Sequence, residues 1–88
     1  MSHALSIQPP VLRNVYVGNR RTSMRLDDDT WRALELAAEE EGISVNELVT
    51  RIDEVRSPSG SLSGAVRSFL IAFLMARSMP PAVQAARA

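Results

Sequence analysis

Eighty-eight residues bound the chain to one domain, and the absence of cysteine excludes disulfides, thiolate metal ligands and a cysteine nucleophile. A chain this short buries only roughly 60% of the surface it exposes when unfolded, so a second copy is a natural source of further core. The net charge of zero hides an asymmetry: four arginines and no acids up to Leu26, all ten acids against three arginines from Asp27 to Arg56, and three arginines thereafter.

Residues 1–19 read as an N-terminal arm. Met1 to Pro10 shows no periodicity, and the one histidine, His3, reads there as a solvated side chain, so neither a metal site nor a cofactor is expected. Val11 to Val17 is β-prone, and Gly18-Asn19 can close a two-residue hairpin onto Arg20 to Thr22. The competing reading is an extended arm that runs straight into the next strand.

Arg21 to Leu26 alternates with the period of a strand: Thr22, Met24 and Leu26 point one way, Arg21, Ser23 and Arg25 the other. A lone strand cannot satisfy its own backbone donors and acceptors, and the patterns downstream are helical, so the expected partner is the same strand of a second chain. Two such strands would present four arginines and two serines on one exposed ribbon, about the width that a DNA major groove admits. Every basic side chain is arginine, whose planar fork grips phosphate and guanine better than the point charge of lysine.

The aspartates at 27–29 predict a helix start, with Asp27 or Asp28 as cap and the others beside the positive end of the helix dipole. Trp31, Leu34, Ala37 and Ala38 recur at helical spacing as its buried face, and Gly42 ends it. Ser44-Val45-Asn46-Glu47 is a capping box for a second helix, with Ile43 and Leu48 as its hydrophobic staple. Val45, Leu48, Val49, Ile52 and Val55 form one apolar stripe along that helix. Free amide donors at its start also make Ser44, Val45 and Asn46 a possible phosphate site, although many capping boxes bind nothing.

Residues 57–61, with Ser57-Pro58-Ser59-Gly60, read as a linker, and a third helix spans 62–79, ahead of Pro80-Pro81 and a frayed tail over 80–88. Leu62, Val66, Phe69, Leu70, Phe73 and Leu74 share its broad apolar face. The uninterrupted run from Phe69 to Ala76 is eight residues, well short of the roughly 20 that span a bilayer, so no membrane span is expected. Such a face must be covered, by the body of a dimer or by a protein partner.

The order strand, helix, glycine turn, capped helix resembles the ribbon-helix-helix family of DNA-binding proteins. Arg21-Thr22-Ser23-Met24-Arg25-Leu26 and Gly42-Ile43-Ser44-Val45-Asn46-Glu47-Leu48 carry the resemblance, with residues 20–56 as the core unit. It implies a mostly α chain with one short strand, an intertwined homodimer whose strands form an intermolecular two-stranded antiparallel ribbon, and here an additional C-terminal helix. In that family the paired strands enter the major groove of double-stranded DNA and the second helix anchors the backbone. Arg21, Ser23 and Arg25 would then contact bases, and Arg20, Ser44, Val45 and Asn46 phosphates. Met24, Leu26, Trp31, Leu34, Val45, Leu48, Val49 and Ile52 would fill the dimer core.

The function expected is that of a sequence-specific cytoplasmic transcriptional regulator, a dimer or a higher oligomer. The alternatives are an antitoxin whose C-terminal helix plugs a toxin, or a dimerisation module that meets no DNA. An enzyme is not expected, since no carboxylate pair, usable histidine or glycine-rich phosphate loop stands out.

Overall fold

A computed structural model describes residues 8–78. Residues 1–7 of the expected arm, with His3, and the expected tail over 80–88 lie outside the described residues. Two strands, β1 (Pro10–Val17) and β2 (Arg20–Asp27), are followed by three helices, α1 (Asp28–Glu41), α2 (Val45–Val55) and α3 (Leu62–Ser78).

The strands form an antiparallel hairpin within the one chain, with Val17 opposite Arg20 and Val11 opposite Leu26. Gly18 takes φ +63° at the first central position of the turn and Asn19 keeps a negative φ, the pattern of a type II′ turn, whose twist matches that of the flanking strands. Within the one chain β2 is paired along one edge by residues 10–17, as in the hairpin reading, and its other edge is open. The chain carries two strands where the family pattern implied one.

Alternation along β2 is as expected. Met24 and Leu26 are buried and Thr22 half-buried, while Arg21, Ser23 and Arg25 are exposed. On β1, Val15 and Val17 are buried and Val11 is half-buried, facing the same way. Arg13 shares this inner face, opposite Met24. Its guanidinium lies 4.8 Å from the centre of the Trp31 ring and donates to Glu35 at 2.9 Å, so one of the basic N-terminal residues is committed to α1. The Trp31 indole in turn donates to the Val11 carbonyl at 2.8 Å, which pins α1 beneath the hairpin.

Local chemistry sets the helix boundaries. Asp27 caps α1, its carboxylate accepting from the Thr30 hydroxyl at 2.6 Å and the Thr30 amide at 3.2 Å. At the far end Gly42 adopts φ +72°, its amide donates to the Glu39 carbonyl and that of Ile43 to the Ala38 carbonyl, the paired bonds of a Schellman stop. Ser44 caps α2 by accepting from the Glu47 amide at 3.0 Å, and Ser61 caps α3 by accepting from the Gly64 amide at 3.0 Å. The linker is tied down: Arg56 pairs with Asp53 at 2.7 Å and donates to the Gly60 carbonyl at 2.6 Å.

One apolar cluster joins hairpin and helices, and Leu26, Trp31, Leu34, Val49 and Val66 are its largest fully buried side chains. Met24, Leu48 and Ile52 are also buried and Val45 half-buried, so the residues expected to fill a dimer core are covered within the single chain. Val55 leaves the α2 stripe and is 84% exposed, because it stands at the helix end where the linker departs. The broad face of α3 likewise finds its cover at home. Val66 and Leu70 are buried, Leu62, Phe69 and Phe73 half-buried, and Leu74 exposed with Ile71 and Met75. Of the six residues expected to offer an interface, two are thus interior, and it is the flank of Ile71, Leu74 and Met75 that faces out. Arg77 fastens the end of α3 to Glu40 of α1 and lies over the Phe73 ring. Among the described residues no helix is long and apolar enough to cross a membrane.

The cap at Asp27 yields a pH-dependent prediction. Its carboxyl is held below the ordinary 3.8, chiefly by the Thr30 hydroxyl, with burial opposing and the Thr30 amide assisting. A depressed folded-state value means that its stabilisation is complete above the unfolded-state pKa and is lost as pH falls through the folded one. Asp27→Ala should cost about 1 kcal/mol at pH 7, and urea melts should show the gap to the parent narrowing below the unfolded-state value.

Candidate nucleic-acid interface

The outer face of the hairpin assembles residues from both strands. Cross-strand pairing sets Arg21 opposite Tyr16, Ser23 opposite Asn14 and Arg25 opposite Leu12. All six are exposed. The Ser23 hydroxyl donates to the Asn14 amide oxygen at 2.8 Å, which joins the two strands at the middle of this face. Arg21, Ser23 and Arg25 thus stand together where alternation placed them. Leu12, Asn14 and Tyr16 escaped the sequence reading because it left the pairing of residues 11–17 open. The signal was present, since Gly18-Asn19 fixes a register that turns those three outward.

The charge on this face is free. Arg13, Arg32, Arg51, Arg56 and Arg77 each pair with a carboxylate, whereas among the described residues Arg20, Arg21 and Arg25 pair with none. Arg67 is taken up differently, donating to the Arg25 carbonyl at 3.3 Å on the open edge of β2. Arg20 belongs to the inner-face set but sits at the exposed hairpin tip, opposite Val17.

The start of α2 lies along the other edge of the hairpin. The Asn46 side-chain oxygen accepts from the Tyr16 amide at 3.0 Å and the Thr50 hydroxyl accepts from the Gly18 amide at 2.9 Å, so α2 side chains satisfy the edge of β1 that β2 cannot reach. Asn46 therefore keeps its NH2 group for an external partner. The Ser44 hydroxyl is occupied as a cap, while the backbone amides of Val45 and Asn46, in the first turn, have no intrahelical acceptor. Glu47, the acid of the first turn, is paired with Arg51 at 3.0 Å. Cationic strands and a helix start thus lie side by side, joined by hydrogen bonds of Asn46 and Thr50 to Tyr16 and Gly18.

The sequence pattern of the ribbon-helix-helix domain matches residues 10–74. The chain belongs to that family. The match takes in both strands and reaches into α3, so in this ribbon-helix-helix chain the N-terminal strand and much of the third helix fall within the domain. No curated protein and no solved structure matches the chain.

Asn46→Ala and Thr50→Val each remove one side-chain acceptor from the edge of β1. Both bonds are solvent-exposed, so each substitution should lower stability by about 0.5–1 kcal/mol at an unchanged denaturant slope. Amide exchange should quicken selectively at Tyr16 in the first variant and at Gly18 in the second.

Proposed function

We propose that this ribbon-helix-helix chain binds double-stranded DNA sequence-specifically and regulates transcription, with the outer face of the hairpin in the major groove. The reading rests above all on the unpaired arginines of β2, on a chain whose other described arginines are occupied by its own atoms. Arg21 and Arg25 are the guanine readers, since a guanidinium fork matches O6 and N7 together, and Ser23 contacts the base between them. Arg20 at the tip, with the Asn46 NH2 group and the amides of Val45 and Asn46 at the flanking helix start, takes phosphates.

The hairpin enters the groove as a unit. Two hairpins joined through their β2 edges would make a four-stranded sheet about 14 Å between its outer strands, more than the roughly 12 Å of the groove. The end of that edge is also occupied by Arg67. Two copies bind per operator, as two-fold symmetric sites require, and they meet through helices. The apolar groove between α2 and α3, lined by Ile52, Val55 and Phe69, supports this arrangement, because a chain of 88 residues gains from covering it.

Arg25→Ala and Arg20→Ala separate the two roles. With duplexes selected from a random pool, Arg25→Ala should weaken the selected site by about 1–3 kcal/mol and leave random DNA nearly unchanged. Arg20→Ala should weaken both alike and reduce the steepness of the salt dependence by about one ion. Equal losses on both duplexes for Arg25→Ala would move that residue to the backbone. No binding by the parent at low salt would remove the function altogether.

A further inference from the structure

We propose that Asn14, on β1, reads an adenine in the major groove, so that both strands of one chain contribute to base recognition. The inference rests on the DNA-binding reading above and deepens it. Asn14 sits at the centre of the outer face, opposite Ser23 and between the flanking levels of Arg21 and Arg25. Its amide oxygen accepts from the Ser23 hydroxyl at 2.8 Å. A hydroxyl can donate or accept, and here it is the amide oxygen that faces Ser23; with either end turned to Ser23, one donor and one acceptor of the amide stay open. A carbonyl oxygen has a second lone pair, and among the described residues the NH2 group has no protein acceptor. The amide therefore offers one acceptor and one donor side by side toward solvent, the complement of N6–H and N7 on the major-groove edge of adenine.

A purely structural role accounts poorly for this residue. Asparagine is depleted in strands, and a β-branched side chain opposite Ser23 would serve the hairpin at least as well. The backbone of β1 needs nothing from it, because its register is set by the turn and by the buried Val15 and Val17. What the position gains from asparagine is an oriented amide on an exposed cationic face. Ser23 then acts as a positioning residue for Asn14, while its hydroxyl oxygen stays able to accept from the same base pair. The unit read by one hairpin is a guanine taken by Arg21, an adenine taken by Asn14 and a guanine taken by Arg25, with the adenine between the other two. Leu12 and Tyr16 flank Asn14 on the same strand and face the same way.

The test uses the full chain and a duplex obtained by selection from a random pool. The parent protein should select a site with an adenine between two guanine positions. Asn14→Ala, an exposed truncation that should lower the thermal midpoint only slightly and leave the chain folded, should lose on the order of 10- to 100-fold on that duplex, with discrimination lost at the adenine alone. Replacing that adenine by 7-deazaadenine, which lacks N7, should weaken the parent about tenfold and leave Asn14→Ala unaffected, since the partner atom has already gone. Ser23→Ala should reproduce part of the loss at the same base pair. Uniform weakening of Asn14→Ala across all positions would assign the residue to phosphate and overturn the inference while leaving DNA binding intact. Unchanged selectivity in Asn14→Ala would overturn it as well. A parent chain that binds no duplex would instead remove the DNA-binding reading beneath it.

Discussion

Burial of one face of the hairpin against α1 and α2 is the constraint on which everything else rests. An isolated two-stranded hairpin is marginal in water, and this one holds because Val15, Val17, Met24 and Leu26 join the same apolar cluster as Trp31, Leu34 and Val49. Side chains on a strand alternate, so a slip of one residue in β2 would carry Arg21, Ser23 and Arg25 into the core and expose Met24 and Leu26. The interior therefore dictates the exterior. Core packing fixes which side chains face solvent, and with them the chemistry that the ribbon can offer.

Around that constraint the polar contacts divide into two kinds. Some hold the elements in place: Trp31 to the Val11 carbonyl, Asn46 and Thr50 to the edge of β1, Arg56 to the linker, Arg77 to Glu40. Others are simple surface pairs along one helix, such as Arg32 with Asp28 and Arg51 with Glu47, which contribute little to stability. Both kinds consume cations from the acidic body and leave those of β2 free. A net charge of zero thus coexists with a strongly polarised molecule, positive where the ribbon is and negative in the body beneath it.

How much of this was legible in the sequence depends on the range of the interactions concerned. The cap at Ser44, the cap of α1 to within one residue and the stop at Gly42 were readable because each is decided within a few residues. The faces of β2 and α1 were readable from period alone. β1 was harder: it carries Leu12 and Tyr16 on its outer face and Arg13 on its inner one, so its alternation is blurred. Arg13 faces inward because Trp31 and Glu35, about twenty residues away, receive it, and no local rule sees that far. Period likewise shows that Met24, Trp31 and Val66 are to be buried, without saying against which chain. The outer-face residues of β1 were hidden for the same reason, since their partners follow only from the pairing.

The open edge of β2 has one more implication, for the free protein in solution. An unpaired strand edge is a template on which further strands can add, and small β-containing proteins are prone to clump through such edges. Here, two edges meeting in antiparallel fashion about Ser23 would set Arg21 of each copy against Arg25 of the other. Like charges directly opposed across a sheet repel, so the arginines act as gatekeepers against ordered aggregation when no polyanion is present. Concentrated salt would weaken that protection, and the least soluble condition for the molecule is therefore a well-screened one.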